Sequence, residues 1–214
     1  MSKQDQYYVI HSRNNGYYPM MSGKMTPKLK YYYSDKFQDK NGDIQLINNR
    51  MECDFSPDNY SYEINLVKPI PNNPEYVDFH MYDLEHSVSE KFVETFEGFP
   101  GIQFLQCTRG EVFENLKSDY YYLHYLYSIE CMDLKKSEAL VSKNDGRIID
   151  FEKLILNEEV LNNIPEEERL IFWLREDPMT CIVHQKFVDV YNEAGLKGAR
   201  FVPIEQYNVE TAFV

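Results

Sequence analysis

The run from Cys181 to Ile204 constrains the fold most strongly, because a helical pattern, a glycine stop and a strand pattern follow one another there. Its apolar residues with helical spacing are Val183, Phe187, Val190, Tyr191 and Ala194, and polar side chains take the opposite side. Gly195 suits a left-handed helix cap, and Ala199–Ile204 has the composition of a short strand, with Pro203 weakening its far end or placing it on an edge. The run therefore predicts a helix and a strand that pack together in an α+β domain.

A weaker copy of this unit occurs earlier, from Ser87 to Cys107. In the two runs, Val88, Phe92 and Phe96 match Val183, Phe187 and Tyr191. Ser87 and Glu90 have capping-box spacing, which makes Ser87 the predicted start of the earlier helix, and a strand is predicted at Ile102–Leu105. The two copies indicate either two similarly built halves or a chance match, because helix–glycine–strand is a common unit.

Alternating residues predict a long central strand from Tyr120 to Met132, with Tyr121, Leu123, Tyr125, Tyr127, Ile129 and Cys131 on one face. Shorter strands are predicted at Tyr7–His11, Tyr62–Val67, Tyr76–Tyr82, Arg147–Leu156 and Leu170–Leu174, whereas Asn14–Lys30 has the composition of a loop. Val160, Leu161 and Ile164 predict a short helix that ends at Pro165. Because strands and helices are mixed without regular alternation, the predicted class is α+β, with a mixed, largely antiparallel sheet and a few packed helices.

The length of 214 residues predicts one domain spanning 1–214, or two small halves that share a core. Residues 1–60 are polar and rich in tyrosine, and we treat residues 1–75 as the variable N-terminal part of the domain. The cysteines, which are Cys53, Cys107, Cys131 and Cys181, lack paired spacing and fit free thiols in a reducing cytoplasm. The N-terminus has no apolar signal segment and no stretch approaches the length of a membrane span, so a cytoplasmic protein that does not enter membranes is expected.

The acidic composition limits the partners that such a chain can bind. There are 35 acidic and 22 basic residues, which gives a formal net charge of −13. This charge repels nucleic-acid phosphates, so binding to nucleic acid is not expected. It attracts a basic protein and speeds the encounter with it, although an acidic surface can also serve solubility alone.

The residues between Asp78 and His86 are the best candidates for a metal site. The potential ligands in this cluster are Asp78, His80, Asp83, Glu85 and His86, with His80, His86 and Asp83 the favoured set. Their spacing fits no standard site, and solvated polar residues near a turn are the alternative. The sequence also lacks a Gly-x-Ser-x-Gly elbow and a glycine-rich dinucleotide turn, so no cofactor is expected. A small hydrolase or metal-dependent enzyme that uses this cluster remains an open hypothesis.

Surface side chains offer a second kind of site, one that binds a protein. Tyr120 and Tyr122 combine a large contact area with a polar tip, although most tyrosines of a sheet are half-buried. The stretch Asn157–Arg169 is acidic, and its candidate contact residues are Glu158, Glu159, Glu166 and Glu167. Together these residues would suit a basic protein partner.

The second half of the chain resembles a known family. The phrases that carry the resemblance are YYYLHYLYSIECMDLKKSEAL, GRIIDFEKLILNEEVL, LIFWL and IVHQKFVDVYNEAGLKGARFVPI, which closes with Gly195, Leu196, Gly198 and Phe201. They are similar to the predicted immunity proteins of bacterial polymorphic toxin systems, a family first catalogued as a domain of unknown function. The resemblance covers residues 76–205.

This resemblance implies a bacterial protein without enzymatic activity that binds and neutralises a toxin made by the same cell or by a sibling. It transfers no catalytic residue and does not indicate which face meets the toxin. The acidic charge is compatible with a basic toxin. A regulatory module that binds some other protein remains an alternative, and only the identity of the partner separates the two.

Overall fold

The computed structural model describes residues 6–13, 16–26, 38–41, 45–53, 61–82, 85–109, 119–144 and 146–208. In these ranges the strands are β1 (Tyr7–Ser12), β2 (Met21–Thr26), β3 (Ser61–Leu66), β4 (Phe79–Tyr82), β5 (Glu85–Ser89), β6 (Ile102–Arg109), β7 (Tyr120–Tyr125), β8 (Ser128–Ile129), β9 (Leu140–Val141), β10 (Ile148–Asp150), β11 (Ile171–Leu174), β12 (Cys181–His184) and β13 (Ala199–Pro203). The α-helices are α1 (Glu90–Thr95), α2 (Glu158–Asn162) and α3 (Gln185–Glu193), and short 3-10 helices cover Glu166–Glu168 and Ile204–Gln206.

The strands form a five-stranded sheet in the order β13-β1-β12-β11-β8, a six-stranded sheet in the order β2-β3-β6-β7-β5-β4, and the small pair β10-β9. Two pairings are parallel, β11 with β8 and β3 with β6, and the other pairings between strands of the described residues are antiparallel. The prediction of an α+β fold with mixed, largely antiparallel strands is therefore confirmed.

The two runs that look alike in sequence fold in the same way. In one unit, β12, α3 and β13 are consecutive, and β1 pairs antiparallel with both strands. In the other unit, β5, α1 and β6 are consecutive, and β7 pairs antiparallel with both strands. Each unit is thus a split β-α-β motif with an antiparallel strand in its centre.

Both helices begin later than the sequence predicts. Cys181–His184 was expected to open a helix, but it forms strand β12 between β1 and β11, because two flanking ladders of hydrogen bonds outweigh its helical spacing. The cap of α1 is Ser89 and not Ser87, since the Ser89 hydroxyl accepts the Phe92 amide at 3.2 Å. His184 caps α3 in the same position through its Nδ1, which accepts the Lys186 amide at 3.1 Å.

Aromatic side chains from α1 and α3 join the two units. The Phe96 and Phe187 rings stack with their centroids 4.4 Å apart, and the Phe92 ring meets the Tyr191 ring edge-on at 6.2 Å. The same buried cluster contains Val88, which precedes α1, and Val183, which precedes α3, together with other residues of both large sheets. We call this cluster the helix core, and it joins α1 and α3 to both large sheets.

The predicted long strand from Tyr120 to Met132 is broken in two. β7 ends at Tyr125, and the chain crosses at Leu126–Tyr127 to β8 in the five-stranded sheet. The Leu126 amide donates to the Gly101 carbonyl at 2.9 Å and its carbonyl accepts the Met51 amide at 2.7 Å, so other segments satisfy the backbone at the break. The alternation of apolar residues continues across the break because Tyr125 is buried in the helix core, whereas Tyr127 is buried in a separate cluster with Leu154, Leu161 and Phe172. We call this cluster the second core.

Other predictions differ in extent. Strands at Tyr7–His11, Tyr62–Val67 and Leu170–Leu174 and the short helix before Pro165 are confirmed within a residue or two. Asn14–Lys30 is not only loop, because Met21–Thr26 pairs with β3 as strand β2. In Arg147–Leu156 only Ile148–Asp150 forms a strand, and in Tyr76–Tyr82 only Phe79–Tyr82 does.

Hydrogen bonds from Asp78 and Phe79 to Lys197, which lies just before β13, tie the six-stranded sheet to the β12–α3–β13 unit. The Asp78 carboxylate accepts the Lys197 amide at 2.8 Å and the Ser89 hydroxyl at 2.7 Å. The Phe79 amide donates to the Lys197 carbonyl at 3.0 Å. A side chain at Gly198 would have its Cβ 2.2 Å from the Phe79 carbonyl oxygen, so only glycine permits this approach.

We expect Gly198→Ala to destabilise the protein far more than Gly195→Ala. Both glycines have positive φ, +106° and +62°, but a Cβ at Gly195 meets nothing within 4 Å. Gly195→Ala should therefore lower the free energy of unfolding by about 1 kcal/mol, from backbone strain alone. Gly198→Ala adds a collision with backbone and should cost roughly 3 kcal/mol or more. Urea denaturation measures both free energies of unfolding. Equal losses of stability in the two variants would contradict the close approach of Gly198 to Phe79.

Candidate functional site

The proposed metal ligands His80 and His86 face opposite sides of one hairpin. In the pairing of β4 with β5, His80 is opposite Ser87 and Met81 is opposite His86. Directly opposite residues share a face and successive residues alternate, so the two imidazoles cannot bind the same ion. Asp83, the third member of the favoured set, lies outside the described residues.

Both imidazoles are buried and engaged in the protein's own hydrogen bonds, so the alternative of solvated residues is also wrong for them. The His80 Nδ1 lies 3.0 Å from the Pro19 carbonyl oxygen, and its Nε2 accepts the Val77 amide at 3.2 Å. The His86 Nδ1 bonds to the Tyr125 hydroxyl. Burial lowers the pKa of His80 to about 4 and that of His86 to about 3, so both rings are neutral near pH 7.

The remaining groups that could carry chemistry are also used inside the protein. Asp78 holds Ser89 and Lys197, as described above. All four cysteines are buried, and burial raises the pKa of the Cys53 thiol to about 12, which suits an unreactive side chain. Among the described residues, no group of three His, Cys, Asp or Glu side chains is arranged to hold a metal ion.

Of the two tyrosines predicted to bind a partner, Tyr120 is not available at the surface. Its side chain is 2% exposed, and its hydroxyl donates to the Val77 carbonyl at 2.6 Å. Tyr122 is half-buried, and its ring stacks on Tyr62 with the centroids 4.8 Å apart. The cause is the position of β7 inside the sheet, where residues of β2 and β3 cover this face.

The predicted acidic residues do lie at the surface. We call Glu158, Glu159, Glu166 and Glu167 the acidic segment, and all four are exposed. Two of them open α2, whose Asn157 cap accepts the Glu159 and Val160 amides, and the others lie on the 3-10 helix that follows. Leu161 anchors α2 in the second core, so the acidic segment and the pair Tyr120–Tyr122 belong to different parts of the protein.

The neighbouring residue Tyr121 has a different environment from Tyr120 and Tyr122. It faces the opposite side of β7 from Tyr120, is half-buried, and packs against the helix core. Burial and the carboxylates of Glu90 and Asp119 raise the pKa of its hydroxyl. The alternation along the strand contained the needed signal, but only the pairing with β5 reveals that Tyr121 belongs to the face that α1 occupies.

Beside this face lies a groove of about 370 Å³ between α1 and β6. We call it the α1 groove, and its lining residues are Val93, Glu94, Phe96, Glu97, Gly98, Phe99, Ile102 and Phe104. Its floor is aromatic and aliphatic, and its two carboxylates are exposed. Such a groove combines contact area with negative charge, which is the chemistry expected of a site for a basic protein.

No protein-family model matches the chain, and no curated protein matches it either. The resemblance to immunity proteins therefore rests on the phrases of sequence described above. Within the described ranges, no helix has the length and apolar character that crossing a membrane requires.

Buried neutral histidines predict that stability falls on mild acidification. Burial lowers the pKa of His80, His86 and His124 from 6.5 to about 4, 3 and 4. The unfolded chain takes up protons below pH 6.5 while the folded chain does not, so stability is full above pH 6.5 and declines toward pH 4. Each histidine should contribute up to about 1.4 kcal/mol per pH unit.

Urea denaturation between pH 7.5 and 4.5 measures this slope. His124 donates from Nε2 to the Met51 carbonyl oxygen at 3.0 Å, and the amide of a His124→Gln variant can make the same bond. Because glutamine takes up no proton, the free energy of unfolding of this variant should fall less steeply with pH, by up to about 1.4 kcal/mol per pH unit. If the assigned imidazole resonances of His80, His86 or His124 titrate near pH 6.5 in the folded protein, the conclusion that these rings are neutral is wrong.

Proposed function

We propose that the protein is a bacterial immunity protein without enzymatic activity, which acts in the cytoplasm and neutralises a basic toxin by binding it. The proposal is supported by the distribution of its chemistry. Histidines and cysteines, which serve catalysis and metal binding in many enzymes, are mostly buried and bonded internally. Carboxylates, which attract basic proteins, occupy the surface. The resemblance of residues 76–205 to immunity proteins points in the same direction.

The exposed acidic segment carries the proposal. The four glutamates lie between residues 158 and 167, and although Lys186 pairs with Glu166, the segment adds exposed negative charge to a molecule whose formal net charge is −13. This charge steers a basic toxin toward this surface and raises the rate of association. Stable binding then requires apolar contacts as well, because exposed ion pairs contribute little affinity.

Neutralisation by this route needs no chemical step. A protein bound over the basic surface of a toxin prevents that surface from meeting its own target, and protection lasts as long as the complex does. A hydrolase or metal-dependent enzyme built on the cluster from Asp78 to His86 is not favoured, because His80 and His86 face opposite sides of the sheet. A regulatory module would use the same surface, so the partner must be identified directly.

The direct test is co-expression with the toxin encoded next to the gene, in a host whose growth the toxin arrests. The intact protein should restore growth. A variant with Glu158, Glu159, Glu166 and Glu167 changed to Gln should associate with purified toxin about ten times more slowly at low salt. A matched variant, in which the exposed residues Glu75, Glu130, Glu152 and Glu205 are changed to Gln, should associate at close to the normal rate.

Growth arrest that persists despite a well-expressed, folded protein would overturn the proposal. Capture of a partner that is not toxic, with mass spectrometry as the readout, would favour the regulatory module instead. Equal slowing by the two variants would show that net charge matters and that the acidic segment does not.

A further inference from the structure

We propose that the α1 groove receives an arginine side chain of the basic protein partner. This inference rests on the proposed function and names the site at which the partner is gripped. It goes beyond general attraction between charges, because the groove offers a shaped apolar contact next to two carboxylates.

Aromatic side chains from the interior of the protein pack against the floor of the groove. Phe96 is buried, and its ring meets the half-buried Phe99 ring edge-on at 5.2 Å. The centroid of the Phe99 ring also lies 5.6 Å from that of Phe187 in α3, and the ring centroids of Phe104 and Phe92 are 6.2 Å apart. These aromatic contacts position the rings before any partner arrives, which lowers the entropic cost of binding.

The size and lining of the groove suit a bulky group. Its volume of about 370 Å³ is near the lower end of the range for small-molecule sites, so it has room for a large side chain. The half-buried apolar residues at its surface are Val93, Phe99, Ile102 and Phe104. An aliphatic or planar group can cover them, whereas a small inorganic ion would leave them exposed.

Charge decides which large side chain fits. Glu94 and Glu97 are exposed beside the groove, and in the described part of the chain no lysine or arginine forms an ion pair with either of them. A purely apolar side chain would leave these carboxylates without a partner, and an acidic one would be repelled. Arginine places a methylene stem and a flat guanidinium on aromatic rings while donating two parallel hydrogen bonds to a carboxylate, which lysine cannot do.

Helix α3 connects the groove to the acidic segment. Lys186 of α3 pairs with Glu166 of the acidic segment, and the next residue, Phe187, packs against Phe96 and Phe99 of the groove. Helix α3 therefore has residues beside both surfaces, and we expect one basic partner to contact the two together.

The probe for this inference is Nα-acetylarginine amide, which needs no knowledge of the toxin. We expect it to shift the backbone amide resonances of residues 93–104 in a titration at constant ionic strength. The citrulline analogue has nearly the same shape without the charge and should bind at least about threefold more weakly. The variant with Glu94→Gln and Glu97→Gln should weaken binding of the arginine probe by about three- to fivefold.

A matched control removes the same charge elsewhere. Glu75 and Glu152 are exposed and lie outside both the groove and the acidic segment. Changing both to Gln should leave the titration of residues 93–104 unchanged. Equal shifts with citrulline, shifts centred outside the groove, or equal weakening by both double variants would overturn the inference. Resonances of the groove that shift with protein concentration alone would assign it to a second copy of the chain and overturn it too.

The titration separates this inference from the proposed function. If the probe binds in the groove but co-expression gives no protection, the site stands and the toxin proposal fails. If the protein neutralises the toxin but the probe does not shift residues 93–104, the function stands and the arginine site is wrong.

Discussion

The contact between α1 and α3 is the interaction on which the rest of the structure depends. Phe96 and Phe187 stack face to face, and each belongs to a split β-α-β unit. The central strand is β7, the next strand along the chain, in the unit of Phe96, and the distant β1 in the unit of Phe187. Neither helix is long enough to be stable alone, so each is stabilised by burying its apolar side against the other and against the sheets. The same contact supports Phe99 and so shapes the α1 groove.

How much of the fold the sequence predicts depends on whether a pattern is local. Helix α2 and strands β1 and β11 have local signals, and their prediction is confirmed. Cys181–His184 has helical spacing but lies between two strands, and partners distant in sequence decide its conformation. The break at Leu126–Tyr127 is invisible in an alternating pattern, because the residues on both sides of it are buried in different cores.

The site follows the same division. Exposure of the acidic segment could be predicted from its charge, because carboxylates are rarely buried. The choice of Tyr120 failed because alternation separates two faces without telling which of them is covered by other strands. The α1 groove could not be predicted, since it requires Glu94 on a helix and Phe104 on a strand to meet in space. His80 and His86 are close in sequence, which suggested a shared site, but the pairing of β4 with β5 places their side chains on opposite faces.

Hydrogen exchange on the complex with the co-encoded toxin tests the central claim most directly. The account predicts that binding slows exchange of backbone amides in residues 93–104 and 158–168, since the partner would cover the α1 groove and the acidic segment together. Protection confined to other surfaces, such as the β9–β10 hairpin with its exposed Leu140 and Ile149, would contradict it. In that case the partner would recognise apolar side chains, and the carboxylates would serve solubility.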